Sequence, residues 1–251
     1  MKKRSALYFV SCCKTKRHLG DASAWPEARL RAEWNTFAPL DQDRLRLIRF
    51  LSLLPQDKAP HVYISRSPVN TEKAWRTNLC VESCATMKAI ERYTGFLYQE
   101  IHDLTNAIVS GSITNLLIIS ALFGILHPLD MIPDYELMMT DVGPEGEAIH
   151  KFWCQAFARN NLPAILKQYA PDAQRIFCFM NESSYMPAIE QLASNFAVYA
   201  VRVKNGGTSL SPKMWGMGVR SCLQKQAELS EEVEHVLGEG YALRRLPGRD
   251  A

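Results

Sequence analysis

Three short apolar runs in this chain each end in a polar turn, and this pattern limits the possible folds more than any other feature. The clearest run is residues 116–119 (LLII), which leads into a loop that contains Pro128, Asp130, Pro133 and Tyr135. Many α/β proteins build a site where a buried strand delivers a turn rich in Gly, Pro and Asp. We therefore expect this loop to take part in a site, although a core strand followed by a structural loop would produce the same pattern.

The other two runs are residues 6–10 (ALYFV) and 175–180 (RIFCFM), followed by polar turns at residues 11–18 and 181–185. The carboxyl ends of parallel strands meet at one edge of a sheet, so neighbouring parallel strands would bring the three turns into one pocket. The prediction is a mixed α/β (α+β) fold, with a single domain, a central mixed sheet, helices around it and a cleft at the carboxyl ends of the strands.

The composition is that of an ordinary globular protein, with 47% hydrophobic and 22% charged residues. We expect one domain over residues 1–251, with a core at about 6–225 and a flexible tail at about 240–251. No apolar run approaches the roughly 20 residues of a membrane span, and the run near the N-terminus is too short for a signal peptide. Seven cysteines without regular spacing are typical of a reducing compartment. These features predict a cytoplasmic protein with no membrane partner.

Charge is distributed unevenly along the chain, although the net charge of +3 is too small to indicate a partner. Residues 1–60 hold twelve Lys and Arg against six Asp and Glu, whereas residues 101–150 hold seven Asp and Glu and no Lys or Arg. An anionic ligand must therefore be held by cations from outside the central loop.

Hydrophobic residues spaced three and four apart predict helices over residues 27–54, 72–91 and 187–195. Short apolar runs predict further strands at residues 61–65 and 197–203. Together with the three runs above, these elements alternate along the chain as in an α/β protein.

Cys80 and Cys84 would lie on one face of the second of these helices. No third ligand stands near them at a spacing that binds a metal. No glycine motif for binding a nucleotide is present in the chain either. We therefore predict no cofactor and no metal site.

The polar turns hold side chains with chemical potential. Lys14 and Lys16 would hold an anionic group, and nearby cations would lower the pKa of a thiol nucleophile. A carboxylate in a partly apolar cleft can serve as general acid or base. The candidate catalytic residues are Cys12, Cys13, Asp130 and Glu182. Side chains that would orient a substrate or stack on it are Ser120, Asn181, Tyr98 and Tyr135. The alternative is that the first turn has no chemical role, and that it consists of a cysteine buried at the end of a strand and of lysines exposed to solvent.

Residues 120–137 (SALFGILHPLDMIPDYEL) resemble the signature of the YaaA peroxide-stress protein family, which reads close to S-G-L-Y-G-x-L-R-P-L-D-x-I-x-P-Y-x-L-E-M. Weaker matches follow in the family's order across most of residues 6–225. They are Ser11, Lys14 and Thr15; Arg92 to Gly95 with Tyr98; Phe152 and Trp153; residues 181–185; and residues 213–217 with Arg220.

The resemblance implies a single mixed α/β domain built around a cleft, in a cytoplasmic protein that protects against hydrogen peroxide by limiting free intracellular iron. It also implies DNA binding through a helix-hairpin-helix and a positive cleft, as in one member of the family. The ligand-binding residues implied here, together with those of the polar turns, are Ser11, Lys14, Lys16, Arg92, Tyr93, Tyr98, Ser120, Phe123, Gly124, His127, Pro128, Tyr135, Asn181, Tyr185, Lys213 and Arg220.

The chain departs from the family pattern at three residues. His127 stands in place of an Arg, so a fixed cation becomes a group that titrates near neutral pH. Trp215 stands in place of the Arg before Gly216, and Asp134 is an extra residue in the signature. Residues 45–80 hold no convincing hairpin motif, so the resemblance supports the fold more strongly than it supports DNA binding.

Two functions remain open. The first is a stress-response protein that binds DNA, with an affinity that falls steeply with salt, or another phosphate-bearing ligand. The second is an enzyme acting on a nucleobase, nucleotide or related small polar substrate, since the turn at residues 12–16 is similar to that of nucleobase-modifying relatives such as archaeosine synthase.

A third interpretation gives the central loop a purely structural role, in which Asp130 caps a helix and Tyr135 supports the core. In a binding protein or enzyme, the loop of residues 120–135 would instead form the polar floor of the pocket. The cations that would hold phosphate there are Lys14, Lys16, Lys213 and Arg220.

Overall fold

A computed structural model of the chain describes residues 6–18, 20, 22–24, 37–204, 210–226 and 229–248. A six-stranded sheet in the order β5-β4-β1-β7-β8-β9 forms its centre, and a small sheet has the order β2-β3-β6. The strands are β1 (Ala6–Ser11), β2 (Ala22–Ala24), β3 (Ala85–Lys88), β4 (Leu116–Ser120), β5 (Gly124–Leu126), β6 (Met131–Ile132), β7 (Arg175–Phe179), β8 (Ala197–Val203) and β9 (Tyr241–Arg245).

Strand β1 lies in the middle of the large sheet, parallel to β4 on one side and to β7 on the other. Strand β7 is in turn parallel to β8, while β5 and β9 close the two edges in antiparallel pairing. Residues 6–10 of β1 are completely buried. A strand covered on both faces needs apolar side chains at every position, which explains the continuous run ALYFV. The predicted mixed α/β fold, with the three runs as parallel neighbours, is confirmed.

Helices surround the sheet. The α-helices of the described residues are α1 (Asp41–Ser52), α2 (Ala59–Val62), α3 (Pro68–Leu79), α4 (Ala89–Arg92), α5 (Phe96–Ile101), α6 (Thr105–Val109), α7 (Ile149–Arg159), α8 (Leu162–Tyr169), α9 (Glu182–Ile189), α10 (Ser211–Lys225) and α11 (Ser230–Leu237). Short 3-10 helices are Ala38–Leu40, Gln56–Lys58, His102–Leu104 and Glu190–Ser194. None of the helices in this part of the chain has the length and apolar character that crossing a membrane requires.

The strand predicted at residues 61–65 is wrong, because this segment contains the end of α2 followed by a turn. Pro60 occupies the first turn of α2, where its fixed φ angle and missing N–H favour a helix start. The Tyr63 side chain is buried and its hydroxyl accepts a hydrogen bond from the Asn78 side-chain amide at 2.8 Å. Val62 and Tyr63 are both buried here, so the segment gives the same apolar signal as a short strand.

The helix predicted over residues 72–91 is also wrong in its second half. Helix α3 ends at Leu79, and Cys80 and Cys84 lie in a turn closed by a 2.8 Å bond from the Cys84 N–H to the Cys80 carbonyl. Strand β3 follows because it pairs with β2 and β6, and such pairing partners cannot be read from local spacing. In the described ranges, no group of three or more His, Cys, Asp or Glu residues could hold a metal ion.

Three further boundaries differ from the predictions. The helix predicted at 187–195 begins earlier, as α9, because the Asn181 side chain caps it by accepting the Ser184 N–H at 3.1 Å. The tail predicted as flexible contains β9, which pairs with β8 along its whole length. Within the helix predicted at 27–54, α1 covers only residues 41–52, a 3-10 helix at Ala38–Leu40 precedes it, and residues 27–36 lie outside the described residues.

Candidate functional site

A cleft of about 740 Å³ opens at the carboxyl ends of β1, β7 and β8. The chain leaves β1 toward β4 on one side and leaves β7 toward β8 on the other, so β1 and β7 flank a point where the strand order reverses. In open parallel sheets, ligands bind outside the strand ends at such a switch point. The cleft lies at this position, and its volume falls within the range of small-molecule sites.

The walls of the cleft come from five segments of the chain. Its lining residues are Ser11, Cys12, Cys13, Lys14, Phe96, Leu97, Met180, Asn181, Glu182, Ser183, Tyr185, Val201, Arg202, Val203, Ser211, Pro212 and Trp215. Two of the three predicted polar turns therefore contribute to it. The lining includes no residue of the central loop at 120–135, so the structure does not make that loop the floor of this cleft.

Helices α5 and α10 approach each other closely beside the cleft. A Cβ atom at Gly216 of α10 would lie 2.5 Å from the Leu97 carbonyl oxygen of α5, so only glycine permits this contact. The approach brings Phe96 and Trp215 into the same wall, and the Trp215 indole N–H is held by the Val201 carbonyl at 2.8 Å. The cleft thus has aromatic faces as well as polar groups.

Cys12 follows β1 and is buried against the polar turn at residues 181–185. Its sulfur lies 3.3 Å from the Tyr185 hydroxyl oxygen, and the same hydroxyl donates to the Cys12 carbonyl at 3.3 Å. Burial raises the pKa of Tyr185 well above its usual value, so the phenol is neutral near neutral pH. The Cys12 thiol and the Tyr185 phenol are thus in contact in the wall of the cleft.

Cys13 is held by the backbone on two sides. Its thiol donates to the Thr15 carbonyl at 2.9 Å and accepts the Gly95 N–H at 3.3 Å. Burial raises the pKa of Cys13 to about 11, and this outweighs the opposing effects of Gly95 and Lys16. Lys16 does lower the pKa of the Cys13 thiol, as expected from the sequence, but the larger effect of burial leaves Cys13 protonated at neutral pH.

Lys14 and Lys16 have different environments. Lys14 is exposed at the cleft and forms no ion pair with any residue that the structure describes. Lys16 is buried, and its ammonium lies 4.3 Å from the centre of the Tyr135 ring. Of these two lysines, only Lys14 can contact a ligand in the cleft.

Four of the predicted side chains form a buried layer behind the cleft. The Tyr135 hydroxyl lies 2.7 Å from that of Tyr93 and 2.8 Å from the Ser120 hydroxyl. Tyr98 packs its ring against Tyr93 and donates to the Ser11 carbonyl at 2.9 Å. Burial raises the pKa of all three tyrosines well above the usual value. The bond from Tyr98 to Ser11 connects this layer to the carboxyl end of β1.

His127, Pro128 and Asp130 stabilise the central loop itself. The Asp130 carboxylate accepts the His127 N–H at 2.9 Å, and the His127 ring nitrogen Nδ1 accepts the Leu129 N–H at 3.2 Å. The Pro128 and Asp130 carbonyls accept N–H groups at the start of α4. Asp130 thus closes a turn and does not cap a helix, and neither it nor His127 lines the cleft.

Phe123 and Gly124 form the turn after β4. The Phe123 carbonyl accepts the Arg44 Nε–H at 2.9 Å, and the Arg44 guanidinium also binds the Ile125 carbonyl. Gly124 has a φ of +67°, and a Cβ there would lie 2.7 Å from the Trp153 ring. Buried Arg44 therefore secures this turn.

Arg92 likewise has an internal role. It is completely buried, and its guanidinium donates to the carbonyls of Arg17, Ala85 and Ile132. These bonds link the first polar turn to both β3 and β6 of the small sheet. The extra residue of the signature, Asp134, adds a second link because its carboxylate lies 2.7 Å from His18 Nδ1.

Lys213 and Arg220 do not reach the cleft. Both lie on α10 and face carboxylates, Lys213 that of Glu100 at 3.9 Å and Arg220 that of Asp103. Among the described residues, Arg202 and Arg244 also stand near the cleft, and both contact Glu182. Arg202 at the end of β8 was recognisable by the rule used for the other strand ends, whereas Arg244 fell in the tail predicted as flexible.

Comparison with known proteins finds a family model that matches almost the whole chain and relatives that match part of it. The family model described as "Peroxide stress protein YaaA" matches residues 7–246. A UPF0246 protein of Francisella tularensis subsp. novicida is 29% identical over 107 residues, and one of Corynebacterium glutamicum is 33% identical over 102 residues. Each alignment covers 41% of this chain and 40% of the relative's length. The chain therefore spans less than half of the length of these relatives.

Proposed function

This chain belongs to the YaaA peroxide stress protein family, and we propose that it acts in the cytoplasm during peroxide stress by binding a phosphate-bearing ligand, DNA or a nucleotide, in the cleft. Limiting free intracellular iron, which the sequence resemblance implies, is the proposed physiological outcome of this binding. The observation that carries the proposal is the position of the cleft at the switch point between β1 and β7.

The lining of the cleft supports a ligand with both a base and a phosphate. Phe96 and Trp215 offer aromatic faces, on which nucleobases stack without strong sequence preference. The exposed Lys14 ammonium supplies a positive charge, and Asn181 and Ser183 supply hydrogen-bonding groups. A single nucleotide unit fits this combination better than an intact duplex, whose stacked bases could not reach the aromatic walls.

Binding is tested by fluorescence anisotropy with a labelled random-sequence oligonucleotide, single-stranded and duplex, titrated with salt. Lys14→Ala should weaken binding several-fold and reduce the slope of log affinity against log salt by about 0.7 to 0.9. Lys151→Ala, at an exposed site on α7 away from the cleft, is the matched control and should bind like the wild type. Absence of affinity for both strands and for free nucleotides at low salt would overturn the proposal.

The physiological role is tested in cells. Deletion of the gene should increase killing by hydrogen peroxide and raise the pool of chelatable iron, and the wild-type copy should restore both. A Lys14→Ala copy should restore neither if ligand binding carries the function. Full restoration by this variant would separate the stress role from the cleft.

An enzyme acting on a nucleobase or nucleotide is a second candidate, favoured by the contact between Cys12 and Tyr185 in the cleft wall. Cys12 would be the nucleophile and Tyr185 the proton donor. Cys13 is not a candidate nucleophile, because its raised pKa keeps the thiol protonated. Mass spectrometry of nucleotides incubated with the protein tests this. A product that forms with the wild type and disappears with Cys12→Ser supports an enzyme, and an unchanged nucleotide pool counts against one.

A further inference from the structure

Glu182 is the first residue of α9 and stands between two arginines at the rim of the cleft. Its carboxylate accepts two hydrogen bonds from Arg202, one of them at 3.0 Å from Nη2, and a further one from Arg244. The guanidinium groups hold the pKa of Glu182 below its usual value, with Arg202 the main cause. Near neutral pH the cluster therefore contains one negative and two positive charges.

The two arginines share one face of the sheet. Ala200 of β8 is opposite Arg244 of β9, and Arg202 is opposite Ala242, so the arginines are diagonal neighbours across the strand pair. Like charges in this arrangement repel each other, and the Glu182 carboxylate offsets that repulsion. About half of the Arg202 side chain and two fifths of the Arg244 side chain are exposed to solvent.

A pair of guanidinium groups that converges on one oxyanion has the geometry that binds phosphate. Arg244 also retains a buried Nε–H that has no hydrogen-bond acceptor among the described residues. Glu182 and Arg202 both line the cleft, so a phosphate group of its ligand can reach the position of the carboxylate. The carboxylate can leave this position because its side chain is only partly buried.

We propose that Arg202 and Arg244 form the subsite for a terminal phosphate monoester, and that Glu182 occupies this subsite until such a group replaces it. This inference rests on the proposed function and names its ligand class. A monoester is a dianion near neutral pH, so it gains more from two arginines than the carboxylate it displaces. An internal diester has a single negative charge, equal to that of Glu182, and gains no charge advantage. Glu182 thereby selects chain ends or free nucleotides against internal phosphates.

The test compares two random-sequence single-stranded oligonucleotides that carry the same 3′ label and differ only in a 5′-phosphate or 5′-hydroxyl. The wild type should bind the 5′-phosphorylated strand at least about tenfold more tightly. Glu182→Gln should raise the affinity for the 5′-hydroxyl strand about tenfold, because no carboxylate then competes with its phosphodiesters for the two arginines. Glu145→Gln, which breaks another exposed carboxylate–arginine pair with Arg46, is the matched control and should behave as the wild type.

Arg244→Gln provides a second variant, which should lose the preference for the 5′-phosphate while still binding the 5′-hydroxyl strand. A mixture of the four nucleoside 5′-monophosphates, compared with the four nucleosides, then distinguishes the sources. If the monophosphates displace the strand and the nucleosides do not, free nucleotides are ligands of the subsite. If neither displaces it, the ligands are strand ends. Both results support the subsite.

Equal affinity of the wild type for the two strands would overturn the subsite while leaving the proposed function intact. Unchanged affinity of Glu182→Gln for the 5′-hydroxyl strand would overturn the role of Glu182. Failure of every strand and nucleotide to bind at low salt would instead overturn the proposed function itself.

Discussion

The Tyr185 hydroxyl joins α9 to the end of β1, because it contacts both the sulfur and the carbonyl oxygen of Cys12, 173 residues earlier in the chain. Tyr185→Phe removes both contacts and leaves a buried carbonyl without this donor. We expect the free energy of unfolding to fall by about 1 kcal/mol. Urea denaturation measures this change. Tyr199→Phe, at a half-buried ring stacked on Phe177, is the control and should change stability by less than about 0.5 kcal/mol.

Arg44 is buried and holds the turn after β4 through two carbonyls. Arg44→Met keeps most of the side-chain volume but leaves these acceptors without their charged donor, so we expect a loss of about 3 kcal/mol in unfolding free energy. Arg49→Met changes an exposed residue of the same helix and should cost about 0.5 kcal/mol or less. Equal losses in the two variants would show that Arg44 does not support the turn.

Gly124 combines a left-handed backbone with contact to Trp153. Gly124→Ala adds backbone strain of about 1 kcal/mol and a steric clash of similar or larger size, so we expect a total loss of about 3 kcal/mol. Gly146 has a φ of +78°, and no atom lies within 4 Å of the point that a Cβ would occupy there, so Gly146→Ala measures the backbone cost alone. The difference in urea midpoint between the two variants isolates the clash with Trp153, and no difference would contradict it.

The raised pKa of Cys13 predicts a pH dependence of stability. The folded thiol keeps its proton up to a pKa of about 11, whereas an unfolded thiol loses it near its ordinary value of 9.0. Between these values unfolding releases a proton, so the unfolding free energy falls as pH rises from about 9 to about 11, by roughly 3 kcal/mol. This contribution is present below pH 9 and absent above pH 11.

Cys13→Ala should remove that part of the alkaline decline, while Cys80→Ala at an exposed thiol should leave it unchanged. Urea denaturation at pH 8 and pH 11 compares the decline within each variant. Alkylation followed by peptide mass mapping gives an independent measure, because iodoacetamide should modify Cys80 well before Cys13 at pH 8. Fast modification of Cys13 at that pH would contradict the raised pKa.

The sheet could be predicted from the sequence because its central strands are buried on both faces. Residues 116–119 and 176–180 are apolar at every position, and the chemistry of a doubly covered strand requires this. Strand β3 at Ala85–Lys88 has no such signal, since its conformation depends on pairing with β2 and β6. The spacing of hydrophobic residues carries no information about those partners. The sequence pattern therefore wrongly predicts that the helix continues across this segment.

The candidate site was predicted less completely than the sheet. The turns after β1 and β7 were identified as cleft walls, because the carboxyl ends of parallel strands share an edge. Lys213 could not be placed, since its pairing with Glu100 depends on how α10 packs against α5. Glu182 was identified by its position, but its contacts with Arg202 and Arg244 arise only from the register of β8 and β9.

The central position of β1 has a consequence for how the protein folds. This strand is synthesised well before its neighbours β4 and β7, which begin only at Leu116 and Arg175, so its pairing depends on contacts of long sequence separation. Until β7 has left the ribosome, the turn that carries Cys12 and Lys14 has no opposite wall. A ligand can therefore stabilise the finished domain but cannot guide the early steps by which the nascent chain assembles it.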